Sequence, residues 1–287
     1  MKLSILMPAY NEQRTIAQAV DEVLRQQYPC EIELIVIDDG SADATPTILD
    51  ALSHPNARVI RHPRNMGKGA ALLSGAAAAR GTHLVPFDAD LEYSPADLAQ
   101  MIYPVLHQRS DVVYGARLFG ANTRYLSYHQ AVGNRALTFA ANVMFDSCIS
   151  DMHTCLKLVP VAVFRQLELS EEGFGLDTEI TAKLLAVGLR PFEVPVSYHS
   201  RSVVHGKKIT WRDGVKCLQI LARVRSRPTR DLQMVARAAE GVIGPEDAQV
   251  EASVDQLARL KPESRPPTRL FADREDRKDH LYESAAV

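Results

Sequence analysis

Ile32-Glu33-Leu34-Ile35-Val36-Ile37-Asp38-Asp39-Gly40-Ser41 is the stretch on which the fold turns. Its β-branched run over residues 32–37 is the kind of strand that a parallel sheet buries on both faces. Asp38-Asp39-Gly40-Ser41 breaks the run, and Ser41 or Asp43 can cap a following helix. The same pattern continues in both directions. Upstream, residues 3–7 form a short apolar run ended by Pro8. Residues 12–27 then carry Ile16, Val20, Val23 and Leu24 on one helical face. Downstream, the runs 57–60 and 84–87 flank an alanine-rich helix over 68–80, and 111–114 follows a helix over 95–108. This alternation predicts βαβ units: an α/β, doubly wound, mostly parallel sheet with helices on both faces. Ligands of such sheets bind beyond the carboxyl ends of the strands, so the polar residues just after each run are the ones to watch.

The second half is less regular. Residues 125–145 read as helix, 155–159 as a short extended run, 176–187 as helix, 192–198 as strand and 209–224 as helix. Beyond Pro228 the chain becomes charged and poor in large apolar residues. Residues 1–227 therefore read as one domain and 228–287 as a partly helical, flexible tail.

Bulk properties exclude several classes. The chain has 287 residues, 46% hydrophobic and 24% charged, which suits an ordinary globular protein. A net charge of −2 argues against a nucleic-acid binder. Cys30, Cys148, Cys155 and Cys217 are widely spaced and suit neither a zinc site nor a disulfide scaffold, so they read as reduced thiols mostly in the core. The start, Met1-Lys2-Leu3-Ser4, runs directly into a strand without a signal-peptide pattern. No apolar stretch approaches the roughly 20 residues of a membrane span. The expectation is a soluble, cytoplasmic protein.

Acidic residues collect at the strand ends: Glu12, then Asp38 and Asp39, then Asp88, Asp90 and Glu92. Carboxylates gathered at one sheet edge repel one another unless a cation sits among them, and oxygen ligands suit magnesium or manganese. In Asp88-Ala89-Asp90-Leu91-Glu92 the acids alternate, so an extended segment would place them on one face. A solvated acidic turn that caps the helix at Pro95 would give the same pattern. The Asn65–Gly69 loop lacks the full spacing of a nucleotide-phosphate P-loop. Its helix start can hold an anion or simply make a tight turn.

Five ordered motifs, Met7-Pro8-Ala9-Tyr10-Asn11-Glu12, Asp38-Asp39-Gly40-Ser41, Asn65-Met66-Gly67-Lys68-Gly69, Asp88-Ala89-Asp90 and Gly115-Ala116-Arg117, resemble family 2 inverting glycosyltransferases of the GT-A fold. The resemblance covers residues 3–225. It is greatest to the branch of dolichyl-phosphate mannose synthases and bacterial polyprenyl-phosphate glycosyltransferases, to which Tyr198-His199-Ser200-Arg201 and Gly206-Lys207-Lys208-Ile209 also point. It implies a Rossmann-like nucleotide half (1–117) and an acceptor half (118–227). Pro8, Tyr10, Glu12, Ile37, Asp39, Asp88 and Ala89 would then bind the nucleotide of a UDP- or GDP-hexose. Asp88, Asp90 and Glu92 would hold the metal, with Asp90 central to catalysis. Glu92 stands where relatives often carry Gln. Arg117, Arg135, Arg201, Lys207 and Lys208 would face phosphates or the acceptor.

Asp177 and Glu179 open a helix after Gly173 and Gly175 and can serve as general base, or simply complement the helix macrodipole. A phosphate acceptor, with a second pKa near about 6, needs cations more than a base. Residues 201–230 supply cations and apolar side chains in a basic amphipathic segment, suited to peripheral contact with an anionic membrane at its inner face or to packing on the domain. The leading expectation is metal-dependent, inverting hexose transfer to a polyprenyl phosphate. A soluble or glycan hydroxyl acceptor is the nearest alternative. A nucleotidyltransferase and a non-catalytic sugar-nucleotide sensor are more distant ones, and a homo-oligomer is left open.

Overall fold

The structure, a computed structural model, describes residues 1–117, 123–124, 128–171, 173, 175–200 and 211–226. All belong to the compact unit Met1–Ile243. The expected tail over 228–287 lies outside the described residues. The first part of the chain comprises β1 (Lys2–Ala9), α1 (Ile16–Arg25), β2 (Glu31–Asp38), α2 (Thr45–Asp50), β3 (Ala57–Arg61), α3 (Lys68–Ala78) and β4 (His83–Pro86). Next come α4 (Pro95–Leu106), β5 (Val113–Ala116), β6 (Thr123–Arg124), α5 (Tyr128–Phe145), β7 (Lys157–Pro160) and α6 (Val161–Gln166). The last elements are α7 (Leu176–Ala186), β8 (Phe192–Pro195), β9 (Tyr198–His199) and α8 (Trp211–Ser226).

Seven strands form one sheet in the order β3-β2-β1-β4-β7-β5-β8, while β6 and β9 form a separate parallel pair. β1 pairs in parallel with β2 and with β4, and β2 with β3. β7 enters antiparallel between β4 and β5. The mostly parallel, doubly wound sheet is therefore present, with one reversed strand that the sequence pattern did not announce.

Burial explains the apolar runs. Leu3, Ile5 and Met7 of β1 and Leu34 and Val36 of β2 join the core under α1 and α4. Their alternates Leu6, Ile35 and Ile37 join the core under α3, α6 and α7. Each strand thus buries both faces, with successive side chains pointing to opposite sides. A third cluster joins α5, α7 and α8 through Ala141, Phe145, Leu185, Ile220 and Leu221. All four cysteines are free: Cys155 and Cys217 are buried, Cys30 is half-buried and Cys148 is exposed.

The order β3-β2-β1-β4 reverses the winding direction between β1 and β4. That is the switch point, and its crevice opens where both strands end. Asp39 N donates to Ala9 O at 2.9 Å and Phe87 N to Leu6 O at 2.8 Å, so the three chain segments leave the sheet side by side.

Candidate active site

The loops after β1 and β2 are stitched together through backbone groups. Asn11, at φ 57°, donates its N–H to Ser41 Oγ at 3.0 Å and accepts from Ala42 N at 2.8 Å. Gln13 N donates to Asp43 Oδ2 at 3.1 Å, and Gln13 Oε1 accepts from Ala44 N at 3.0 Å. Asp38 accepts from Ser41 N at 3.0 Å. Gly40 turns at φ 70° with its Cα pressed against the Arg64 backbone, where a side chain has no room. This double loop fixes Pro8 and leaves Tyr10 47% exposed beside it. Glu12 is half-buried and accepts from Thr15 Oγ1 at 2.8 Å.

Asp39 is buried, and its carboxylate is turned to the next loop. It accepts from Met66 N at 2.9 Å and Gly67 N at 2.8 Å, and lies 2.7 Å from His62 Nδ1. Asp39 therefore sets the entry to α3, which begins after Gly67 at φ 91°. Ile37 is a fully buried core residue beneath α3.

Beyond β4, Asp88 and Asp90 are partly exposed on either side of buried Ala89. Lys68, the first residue of α3, reaches Asp88 Oδ2 at 2.9 Å and Cys155 Sγ at 3.5 Å. Burial alone would lower the Lys68 ammonium, but its surroundings, Asp88 foremost, outweigh it and hold the group well above the usual lysine range. Leu91, at φ 63°, turns the chain, and Asp90 Oδ1 accepts from Glu92 N at 3.1 Å. Glu92 points elsewhere: its Oε2 accepts from Tyr198 Oη at 2.8 Å. Its carbonyl accepts from His199 N at 2.9 Å.

This arrangement bears on metal binding. No three His, Cys, Asp or Glu side chains among the described residues form a ready cage. Asp88 and Asp90 offer a partly exposed, all-oxygen pair, which fits a hard divalent cation that keeps waters and takes substrate phosphate oxygens. Glu92 is committed to Tyr198.

Further charged side chains beyond this pair are held in ion pairs. Lys157, 1% exposed in β7, donates to Thr154 O at 2.6 Å and to Asp177 Oδ1 at 2.7 Å. Its ammonium lies 5.4 Å from the centre of the Tyr114 ring. Burial pulls Lys157 below its ordinary range, against the pull of Asp177. For Asp177, burial acts upward, but Lys157 and then Lys68 outweigh it and hold the carboxyl below the usual aspartate range. Arg117 forks onto buried Asp151 through Nε at 2.6 Å and a terminal nitrogen at 2.9 Å. Its guanidinium stands 5.0 Å from the Tyr198 ring centre. Burial pushes His153 down to about 4, so it is neutral at physiological pH.

The sequence-chosen residues thus separate. Pro8, Tyr10, Glu12, Asp88, Ala89 and Asp90 gather at the switch point. Arg117 is spoken for by Asp151. Glu179 is 1% exposed and enclosed, accepting from Ser170 N, Ser170 Oγ and Glu171 N at 2.8 Å each and pairing with Lys183 at 2.9 Å. It anchors the loop before α7. Arg135 is exposed on α5. Arg201, Lys207 and Lys208 lie outside the described residues. Sequence reading did not single out Lys68, Asp151, Lys157 or Tyr198 for roles. Lys157 had a usable signal, since a lone lysine inside an apolar strand needs a buried counter-charge.

Residues 4–167 match the sequence model of the family described as Glycosyl transferase family 2. The chain is 29% identical over 202 residues to the low-salt glycan biosynthesis hexosyltransferase of Haloferax volcanii, covering 69% of this chain and 48% of the relative. The chain thus spans about half of that protein's length. It is 25% identical over 227 residues to the UDP-N-acetylglucosamine–dolichyl-phosphate N-acetylglucosaminyltransferase of Methanococcus voltae, covering 71% of this chain and 89% of the relative. Among solved structures, the glucosyl-3-phosphoglycerate synthase of Mycobacterium tuberculosis, in complex with Mn2+, UDP-glucose and phosphoglyceric acid, superposes with a TM-score of 0.59. The identity is 21%, and the match covers 79% of this chain and 80% of that one. That likeness establishes the GT-A architecture.

Proposed function

This chain belongs to glycosyl transferase family 2, and from that premise we propose that it transfers a hexose from a nucleotide-diphosphate sugar to a polyprenyl phosphate, with inversion and with a divalent metal. As a family 2 glycosyltransferase it is an enzyme, which displaces the nucleotidyltransferase and sensor readings. The carrying observation is the partly exposed Asp88 and Asp90 pair at the β1/β4 switch point, with Lys68 against it. Residues 1–227 would be the catalytic domain, working at the inner face of the membrane.

In this reading Pro8, Tyr10 and Glu12 receive the nucleotide, on a floor shaped by Asp39. Asp88 and Asp90 would hold magnesium or manganese, which when bound would neutralise charge on the departing diphosphate. Lys68 adds a fixed cation beside Asp88. An acceptor phosphate oxygen forms a bond to the anomeric carbon while the bond to the diphosphate oxygen breaks, its electron pair leaving with the nucleoside diphosphate. Positive character grows on the sugar as in other glycosyl transfers.

The acceptor side supports a nucleophile that arrives already ionised. Glu179 is enclosed, and Asp177 is held in an ion pair by Lys157 at 2.7 Å. A carboxylate so stabilised is a weak base, and base catalysis is most effective near the operating pH. A phosphate monoester does not need one. The dolichyl-phosphate acceptor in the name of the Methanococcus relative agrees with this reading.

The test is incubation with labelled UDP- and GDP-hexoses, manganese and polyprenyl phosphate. A charged glycolipid is expected, and no lipid product across the donor panel would sink the acceptor assignment. The phosphoglyceric acid bound to the solved neighbour favours a second reading, a water-soluble acceptor. In a hydroxyl-acceptor enzyme Asp177→Asn should abolish turnover, whereas with a lipid phosphate the same change should mainly cost stability.

A further inference from the structure

Lys68 is brought to Asp88 by the fold. Asp39 accepts from Met66 N and Gly67 N, which fixes the left-handed turn at Gly67, and α3 starts at the next residue. From that first helical position the ammonium lies 2.9 Å from Asp88 Oδ2. On its other side it lies 3.5 Å from the sulfur of buried Cys155. The side chains of Lys68 and Asp88 are 33% and 24% exposed, so a ligand can reach the pair without opening the core.

Any cation taken by Asp88 must share that carboxylate with the ammonium. Like charges held so close repel, and more strongly where protein lowers the effective dielectric. Asp88, Asp90 and Lys68 together carry one net negative charge; without the lysine the cluster would carry two. A divalent ion arriving alone would turn the cluster positive. A diphosphate arriving with the ion reverses the balance, because lysine then meets an anion as a compact point charge, as it does in other phosphate sites. The same side chain thus opposes one form of the metal and favours the other.

We propose that Lys68 makes metal loading depend on the donor. It weakens the hold of Asp88 and Asp90 on a free divalent ion and strengthens their hold on an ion that comes with a nucleoside diphosphate. The inference deepens the donor-site reading, on which it rests, and is independent of the acceptor. It differs from a purely structural role, in which Lys68 would only pin the start of α3 to the loop after β4. A pin that is lost should weaken both kinds of binding together, whereas a lost charge should move them in opposite directions.

The test is equilibrium binding to the whole chain without acceptor. Binding of Mn2+ alone is followed by the paramagnetic resonance signal of the free ion, and binding of UDP or GDP in the presence of Mn2+ by calorimetry. In Lys68→Met the affinity for Mn2+ alone should rise at least about fivefold, and that for the nucleotide with Mn2+ should fall at least about fivefold, the order expected for one unit charge at a partly wet site. Lys68→Gln, which can still donate to Asp88, should show the same crossed change and so separates charge from pinning. Lys68→Arg keeps the charge and should keep binding of Mn2+ alone weak. Lys2→Met removes an equal charge at the opposite end of β1 and should move neither affinity. Melting midpoints without ligand identify any variant that fails to fold, and Lys68→Gln then decides in place of Lys68→Met. Parallel loss of both affinities, or no change in either, overturns the inference while leaving the donor site in place. A wild type that binds neither nucleotide with Mn2+ removes the donor-site reading, and the inference falls with it.

Discussion

The two edges of the crevice are made by opposite means. On the switch-point edge, side-chain oxygens of Asn11, Gln13, Ser41 and Asp43 each accept from a backbone N–H of the facing loop, and Asp88 and Asp90 remain partly exposed. On the opposite edge, charges are held in pairs: Arg117 with Asp151 and Lys183 with Glu179 are buried on both sides, and buried Lys157 meets the partly exposed Asp177. Exposed carboxylates can exchange partners when a ligand arrives, whereas buried pairs cannot be broken cheaply. Mutation at the switch-point edge is therefore expected to cost activity, and mutation at the paired edge to cost stability.

That contrast can be broken, and the largest test is Lys157→Met. It leaves the Asp177 carboxylate without its nearest cation and should destabilise the chain by about 3 kcal/mol or more in urea unfolding. A smaller loss would place Asp177 among the exposed, exchangeable acids. Asp90→Ala should do the reverse. Its kcat is expected to fall by about 10²–10³, the order of losing one electrostatic contact to developing charge. Its unfolding free energy should stay within about 1 kcal/mol of wild type.

The third test is pH. His153 has its folded value near 4 against an ordinary 6.5. Between these values the unfolded chain binds a proton that the folded chain refuses, so stability is level above pH 6.5 and falls as pH drops through the window. The loss should approach about 3 kcal/mol. His153→Gln should flatten this slope, and a slope unchanged in the variant would move the sensitivity elsewhere. The smallest effect is expected for Tyr198→Phe, which removes the bond to Glu92. About 1 kcal/mol of stability should go. An increase in manganese affinity would show that Tyr198 holds Glu92 away from Asp90, sharpening the division between the edges.

Local chemistry was legible in the chain; long-range pairing was not. The run 32–37 declared a doubly buried strand because every residue from Leu34 to Ile37 needed an apolar neighbour on one face or the other. Asp88 and Asp90 stood out because a strand end gave their spacing meaning. The helix expected over 12–27 begins only at Ile16, since Asn11 turns left-handed and Glu12 starts a turn with Thr15. The strand expected over 192–198 divides at Pro195 into β8 and β9, which lie in different sheets. Arg117 was expected to face phosphate. The structure pairs it with Asp151, which is far along the chain and comes beside it only through the fold.

β7 has a consequence for the order of assembly. β1 to β4 complete their mutual ladders from neighbouring pieces of chain as they are synthesised. β5 has both its neighbours, β7 and β8, downstream. Until residue 160 has emerged, β5 has no edge to join, and non-local closures of this kind are slow. The nascent chain thus acquires the β1–β4 part of its sheet first. Strands β5, β7 and β8 are laid onto a finished template, so hydrogen exchange during refolding should protect Leu34 and Val36 before Val113 and Leu158.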